Sequence, residues 1–175
     1  ETLTNLIIDI VESLVKNKLE RILILNGHGG NIAILKNVGQ KLKYEKNIYI
    51  ATASYWDFAM QEINDWRESD LGGINHACEM ETALMLHMQE DIVKKEHIID
   101  NPLKRSTYTG VDLLSGGAVG VSASFKELSD HGVIGSPSLA TKEKGTELYE
   151  TITDKISDFI LDFAKWTKPL NGKNE

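Results

Sequence analysis

The sequence predicts an α/β fold, because strand and helix patterns of apolar residues alternate along the chain. Residues 22–25 form a short continuous apolar run, which is typical of a strand covered on both faces. Residues 4–18 and 32–44 repeat apolar side chains three and four positions apart, as amphipathic helices do. Residues 47–54 combine β-branched and aromatic side chains and predict the next strand.

The middle of the chain predicts two further helical elements. Residues 57–70 indicate a helix or an irregular lid, in the region of Trp56 and Trp66. These two indoles fit either core packing or an aromatic wall for a flat heterocycle. Glycines at positions 72 and 73 interrupt the pattern, and residues 76–89 then predict a strong helix that is rich in Ala, Glu, Leu and Met.

The last part of the chain is less regular. Residues 96–135 are rich in glycine and serine and show no clear periodicity. Residues 138–168 predict a final helix, and residues 171–175 predict a frayed polar tail. Because no repeat or interdomain linker is visible, we expect a single domain over residues 1–175.

Composition narrows the classes of function. The net charge of -7 and the pI near 5.3 argue against a nucleic-acid partner, which would need a basic face. No apolar run approaches the ~18 residues of a membrane span. Cys78 is the single cysteine and cannot form an internal disulfide, so we expect a cytoplasmic protein. A nucleophilic role for this thiol is disfavoured, because no second base accompanies it on the predicted helix.

A histidine set among glycines follows the first predicted strand. The motif Asn-Gly-His-Gly-Gly-Asn occupies residues 26–31, so His28 lies at a strand-to-helix turn. In α/β proteins such turns carry ligands, and the flanking glycines allow a ligand to approach the backbone closely. The alternative is an ordinary glycine-rich turn with an incidental histidine.

A second cluster, Asn-His-Ala-Cys-Glu-Met-Glu-Thr at residues 75–82, is predicted to open a helix. Helix geometry would place His76 near Glu79 and Met80, with Glu81 about 140° away on a separate stripe. At a helix start, His76 could still swing toward a site that Glu81 also borders. The pattern differs from the zinc motif with histidines at i and i+4, since position 80 is methionine. The alternative is an amphipathic helix with acidic residues in its first turns.

Taken together, these motifs resemble the creatininase family. They appear in the family's order, followed by residues 132–141 and by Lys144 with Gly145, and the resemblance covers nearly the whole chain. It implies a three-layer α/β/α fold with a mostly parallel sheet. It also implies a centre of two divalent metals, commonly zinc, manganese or iron, that hydrolyses a C–N amide bond. The implied substrate is a small cyclic amide or a formamide.

The resemblance also implies roles for individual residues. His28 matches the family's metal-binding histidine, and His76 matches the histidine that acts on the substrate or on the attacking water. Creatininases proper carry a glutamate two residues after the metal-binding histidine, where this chain has Gly30. Glu81, which matches the acidic residue five places after His76, is therefore expected to be a compensating metal ligand or an anchor for one.

The family's other ligands are a glutamate, a histidine and an aspartate that precede the helix predicted at residues 4–18. The sequence therefore resembles the C-terminal two-thirds of a family member, and we expect an N-terminal segment to complete the site in cis or in trans. His28 and Glu81 alone fall short of the three protein ligands usual for catalytic zinc. The family resemblance further implies a homo-oligomer, often a hexamer. The alternative is a noncatalytic assembly subunit that retains the fold.

Overall fold

The computed structural model describes residues 1–104 and 108–166 and divides into two compact units. The first unit combines residues 1–58 with the chain from Asp154 onward. The second unit comprises Ala59–Thr153. The expectation of one domain over residues 1–175 stays a prediction.

The first unit contains a parallel pair of strands with two helices. Helix α1 (Thr2–Lys16) precedes strand β1 (Leu23–Asn26), and helix α2 (Ile32–Lys46) leads to strand β2 (Ala51–Ser54). The two strands pair in parallel, from Leu23 opposite Ala51 to Asn26 opposite Ser54. Their carboxyl ends therefore meet at one edge, which is where ligands bind in open α/β sheets.

The core of this unit is formed by buried aliphatic side chains of both helices and of the residue before β1, namely Val11, Ile22, Val38 and Leu42. Ile24 packs against this cluster, whereas its neighbour Leu25 is 46% exposed. The expectation that the apolar run at 22–25 is covered on both faces is therefore wrong for Leu25. Successive strand residues point to opposite faces, so contact of Ile24 with the core does not cover Leu25.

The second unit is built around a short antiparallel pair. Strand β3 (Ile74–His76) pairs with strand β4 (Ile134–Gly135). Helix α3 (Met60–Trp66) precedes β3, and helix α4 (Glu79–Gln89) follows it. The remaining helices are the short α5 (Phe125–Leu128) and the long α6 (Lys142–Phe163), of which only the part up to Thr153 belongs to this unit.

Two buried polar or small residues fix the packing of the second unit. The carboxylate of Asp112 accepts hydrogen bonds from the backbone N–H groups of Gly72 (3.0 Å) and Ile74 (3.3 Å), and it pairs with Arg67 at 2.9 Å. A Cβ atom at Gly145 would lie 1.9 Å from the carbonyl oxygen of Ala83. Glycine at position 145 therefore allows α6 to pack closely on α4.

Several predicted boundaries move in the structure. The helix predicted from residue 76 begins at Glu79, because His76 ends β3. The final helix begins at Lys142 rather than 138, since Pro137–Leu139 form a separate 3-10 turn. The helix ends at Phe163, so its predicted extension is wrong for residues 164–166, whereas residues 167–168 and the predicted tail at 171–175 lie outside the described residues. Within 96–135, α5 and β4 are too short to produce a periodic signal.

A helix that spans a membrane must be both long and apolar. Across residues 1–104 and 108–166, no helix has both the length and the apolar character needed to cross a bilayer.

Candidate active site

His28 lies two residues after the end of β1, with its backbone extended (φ -145°, ψ 125°), and precedes a 3-10 turn at Gly29–Asn31. The side chain of Asn26, only 5% exposed, holds this turn. Its carbonyl oxygen accepts a hydrogen bond from the His28 N–H (3.2 Å), and its amide group donates to the His28 carbonyl (2.9 Å). The same amide donates to the Ser54 hydroxyl at the end of β2 (3.1 Å). A buried asparagine thus fixes the backbone of His28 while the imidazole stays exposed.

Gly30 determines where the imidazole of His28 lies. A Cβ atom at Gly30 would be 2.7 Å from His28 Nε2, which is closer than nonbonded atoms approach. The imidazole therefore occupies space that a larger residue at position 30 would fill. A glutamate at this position, as expected in creatininases proper, would require a different orientation of the ring.

A small cavity opens beside the His28 turn. It has a volume of about 50 Å³, and Asn26, Ser54 and Asp57 supply much of its polar lining. Asp57 is exposed, and its carboxylate accepts a hydrogen bond from the backbone N–H of Ser54 (3.1 Å). Sequence analysis missed Ser54 and Asp57, and it included Asn26 only as the first residue of the motif at 26–31. The predicted parallel order of β1 and β2 was the available signal, since it places the residues that follow each strand at one edge.

The turn after His76 departs from the sequence prediction. Ala77 has a left-handed backbone (φ 49°), and its N–H donates to Oε2 of Glu81 at 2.6 Å. The helix-based expectation that Glu81 lies on a separate stripe from His76 is wrong, because His76 belongs to β3. The carboxylate of Glu81 instead reaches back to the residue that follows His76. A left-handed conformation costs a residue with a Cβ about 1–2 kcal/mol, so this hydrogen bond supports a strained turn.

The imidazole of His76 is partly exposed and contacts an aromatic ring. The ring centroids of His76 and Phe125 are 4.7 Å apart, with an interplanar angle of 71°. This edge-to-face arrangement is favourable for aromatic pairs. Phe125 begins α5, so the contact connects the end of β3 to the glycine- and serine-rich part of the chain.

Glu79, which the sequence indicated as one of the acidic residues of a helix start, is fully buried. Its carboxylate accepts hydrogen bonds from the backbone N–H groups of Glu68 (2.9 Å) and Ser69 (3.0 Å) and pairs with the ammonium of Lys144. Burial raises the pKa of Glu79. The hydrogen bonds from Lys144 and from the backbone of Ser69 and Glu68 together lower it by more, so the net shift is downward. Glu79 thus anchors the start of α4.

Three residues whose roles the sequence left open, Cys78, Trp56 and Trp66, have structural roles. Cys78 is fully buried, and burial raises the pKa of its thiol to about 11, which argues against a thiolate nucleophile. Trp56 is 2% exposed and belongs to the core. The indole N–H of Trp66 donates to the carbonyl of Lys144 (3.1 Å), and the Lys144 ammonium lies 4.6 Å from the Trp66 ring centroid.

The predicted metal ligands lie in different units. His28 belongs to the first unit, and Glu81, with His76, belongs to the second. Imidazole and carboxylate are suitable donors for zinc, manganese or iron. Among residues 1–104 and 108–166, however, no three or more His, Cys, Asp or Glu side chains converge on a possible metal position. The donor types fit such a centre, but the described ligand set is incomplete.

Comparison with known proteins gives a common outcome. A family profile described as creatinine amidohydrolase matches residues 1–160. A creatinine amidohydrolase from Pseudomonas putida is 28% identical over 173 residues, covering 92% of this chain and 62% of that protein. A mycofactocin precursor peptide peptidase from Mycobacterium ulcerans is 25% identical over 153 residues, covering 87% of this chain and 52% of that protein. The chain thus spans about half to three-fifths of the length of these relatives.

Solved structures support the predicted fold. A crystal structure of a presumed creatinine amidohydrolase from Bacteroides fragilis has a TM-score of 0.79 and 25% identity, covering 95% of this chain and 63% of that chain. A structure described as creatininase Mn has a TM-score of 0.66 and 26% identity, covering 92% of this chain and 63% of that chain. These similarities confirm the predicted α/β fold.

Proposed function

Because the chain belongs to the creatininase family, we propose that it provides part of a metal-dependent amidohydrolase site. The reaction is hydrolysis of a C–N amide bond in a small cyclic amide or a formamide. The family match over residues 1–160 is the observation that carries this proposal. The placement of His28 at the carboxyl edge of a parallel strand pair supports it, since ligands bind at such edges.

His28 and Glu81 are the residues that would hold metal in this proposal. The similar structures are described as manganese and zinc–zinc creatininases, so two divalent ions per complete site are expected. In the described residues, the hydrogen bond from Ala77 engages one oxygen of Glu81 and leaves the other for a metal. When bound, such ions supply hydroxide at neutral pH and polarise the amide carbonyl. The remaining ligands come from outside the described residues.

His76 is the proposed proton-transfer residue. Its partly exposed imidazole ends β3, and the turn after it is held by the hydrogen bond between Ala77 and Glu81. A positioned imidazole can pass a proton to the leaving nitrogen or stabilise the developing oxyanion. Because Glu81 reaches the residue beside His76, the same carboxylate would serve both the metal and the orientation of His76.

A noncatalytic assembly subunit is the second candidate. It is favoured by the incomplete donor set in the described part of the chain, where no three ligands converge. In this case the chain keeps the fold and forms an oligomer, with hexamers as the state that the family resemblance implies.

We place the protein in the cytoplasm, since its cysteine is a buried free thiol.

A paired assay separates the two candidates. Metal content and hydrolysis of a panel of formamides and cyclic amides are measured with Mn²⁺ or Zn²⁺, for the chain alone and with an added N-terminal segment of a family relative. The amidohydrolase proposal predicts metal-dependent turnover in at least one preparation and its loss in His28→Ala. Stoichiometric assembly without metal uptake or turnover in both preparations supports the noncatalytic subunit.

A further inference from the structure

Phe125 is an exposed aromatic residue at the candidate proton donor. Its side chain is 48% exposed, although its ring packs against the imidazole of His76 at a centroid distance of 4.7 Å. A large apolar ring that served only to fill the core would be buried. The Phe125 side chain instead combines an aromatic contact with His76 and a solvent-exposed portion.

The position of Phe125 is fixed by its own short helix. The carboxylate of Glu127 accepts hydrogen bonds from both the N–H and the hydroxyl of Ser124, each at 2.7 Å. This capping box sets the start of α5, where Phe125 is the first residue. The ring is therefore held by a defined local structure, although the surrounding chain is rich in glycine and serine.

The contact restricts what can approach His76. A group that exchanges a proton or a hydrogen bond with His76 must come within about 3 Å of its ring. In an amide, the carbonyl oxygen and the leaving nitrogen share one carbon atom, so in either proposed role of His76 the nitrogen and its substituent lie nearby. The Phe125 ring is only 4.7 Å from that of His76, so a substituent on the side of His76 that Phe125 borders would come within van der Waals reach of Phe125.

We infer that Phe125 is a specificity-determining residue that selects amides whose leaving amine carries an aromatic or bulky apolar group. This inference rests on the proposed amidohydrolase function and names its substrate class. A flat ring on the leaving nitrogen gains an aromatic contact with Phe125 that a methyl group cannot make. Aromatic pairs contribute enough for about a tenfold preference.

The test compares formanilide with N-methylformamide, which share the formyl group and differ in the leaving amine. The ratio of their kcat/KM values is measured for the metal-supplied full chain with its complementing N-terminal segment, and for Phe125→Leu and Phe125→Ala in the same preparation. We expect the ratio to fall about tenfold in Phe125→Ala, and less in Phe125→Leu, with little change for N-methylformamide. Tyr44→Ala, which truncates an exposed aromatic ring on α2, is the matched control and should leave the ratio unchanged.

Equal losses for both substrates in Phe125→Ala would overturn the inference, because they would make Phe125 only a support for His76. If the unsubstituted chain with its complementing segment hydrolyses other amides of the panel but neither of these two, the proposed function stands and the inference fails. If this preparation hydrolyses no amide at all, the proposed function fails for this chain, and binding then decides the inference separately. Aniline and methylamine are then titrated against the NMR signals of the His76 ring. Aniline should bind more tightly than methylamine and lose about tenfold in affinity in Phe125→Ala. Equal binding to both proteins, or no binding of aniline, contradicts the inference.

Discussion

The turn at His28 and the turn after His76 both follow a strand and present an imidazole, but different chemistry holds them. A neutral amide, the side chain of Asn26, satisfies both the N–H and the carbonyl of His28. The His76 turn depends on a carboxylate, because Glu81 accepts the N–H of the left-handed Ala77. In the first turn, Gly30 leaves room for the imidazole of His28. The second turn instead contains Ala77 in a strained left-handed conformation.

The difference extends to the surroundings of each turn. In the second unit, buried carboxylates of Glu79 and Asp112 also accept backbone N–H groups near β3 and α4. Each is paired with a cation, Lys144 or Arg67, because an isolated buried charge is costly. Because the Asn26 amide carries no charge, the hydrogen bonds that hold the His28 turn should be insensitive to acid and to the loss of cations. The His76 region should be sensitive to both.

The largest expected effect comes from removing a cation of the second unit. Lys144→Met leaves the carboxylate of Glu79 buried without its ionic partner and should lower the free energy of unfolding by about 3–5 kcal/mol. Lys142→Met is the matched control, since its ion pair with Glu90 is solvent-exposed and should contribute far less to stability. Denaturant titration measures both, and equal losses would contradict the role assigned to the buried pair.

Removing the neutral anchor should have an intermediate effect confined to the first unit. Asn26→Ala leaves the His28 N–H without its partner and removes one of the two hydrogen bonds to the His28 carbonyl, which keeps the one from the Asn31 N–H (3.0 Å), so the substitution should cost about 1–3 kcal/mol. Hydrogen exchange should accelerate at His28 and Asn31 more than at Ala77. Asn31→Ala, which removes only a 3.3 Å hydrogen bond to Asn26, should have a smaller effect. Uniform acceleration in both units would refute a local role for Asn26.

Relief of strain after His76 should give a smaller, stabilising effect. Ala77→Gly removes the Cβ that disfavours the left-handed backbone, and stability should rise by up to about 1 kcal/mol. The same substitution at Ala33, in the regular helix α2, should instead destabilise by about 0.5 kcal/mol. Thermal unfolding compares the two variants. A loss of stability in Ala77→Gly would mean that the alanine is not strained.

Lowering the pH should have the smallest effect, which is an earlier loss of amide protection in the His76 region than in the His28 turn. Because the folded-state pKa of Glu79 is lowered, its contribution is present above its unfolded value near 4.5 and is lost as pH falls through the folded pKa. After correction for intrinsic exchange rates, the amide of Ser69 should lose protection on acidification before that of His28. Glu79→Gln should remove this pH dependence, and its persistence in that variant would assign it to another carboxylate.

The sequence was sufficient to predict the strand–helix order of the first unit and the place of His28. An apolar run followed by glycines is a local signal, and β1 with its turn lies within two residues of the predicted position. The role of Asn26 was not predictable in the same way. It depends on Ser54, which lies 28 positions away and meets Asn26 only when β1 and β2 pair.

The second unit shows more clearly where local patterns fail. Alanine and glutamate favour a helix from residue 76, but pairing of β3 with β4 keeps His76 extended. The left-handed backbone of Ala77 has no local signal, because alanine rarely adopts it. Likewise, Glu79 is indistinguishable in sequence from an exposed acidic residue until Lys144 is brought to it from 65 positions away.

In the proposed active site, His28 binds metal while His76 acts on the substrate. The most direct measurement is the affinity for Mn²⁺ or Zn²⁺ of His28→Ala and His76→Ala beside the unsubstituted chain, each with the complementing segment and with turnover recorded in parallel. Loss of a ligand in His28→Ala should weaken metal binding at least about tenfold to a hundredfold. His76→Ala should keep near-normal metal occupancy while losing about 10²–10⁴-fold in rate. Unchanged metal affinity in His28→Ala, or metal loss in proportion to activity in His76→Ala, would contradict the account.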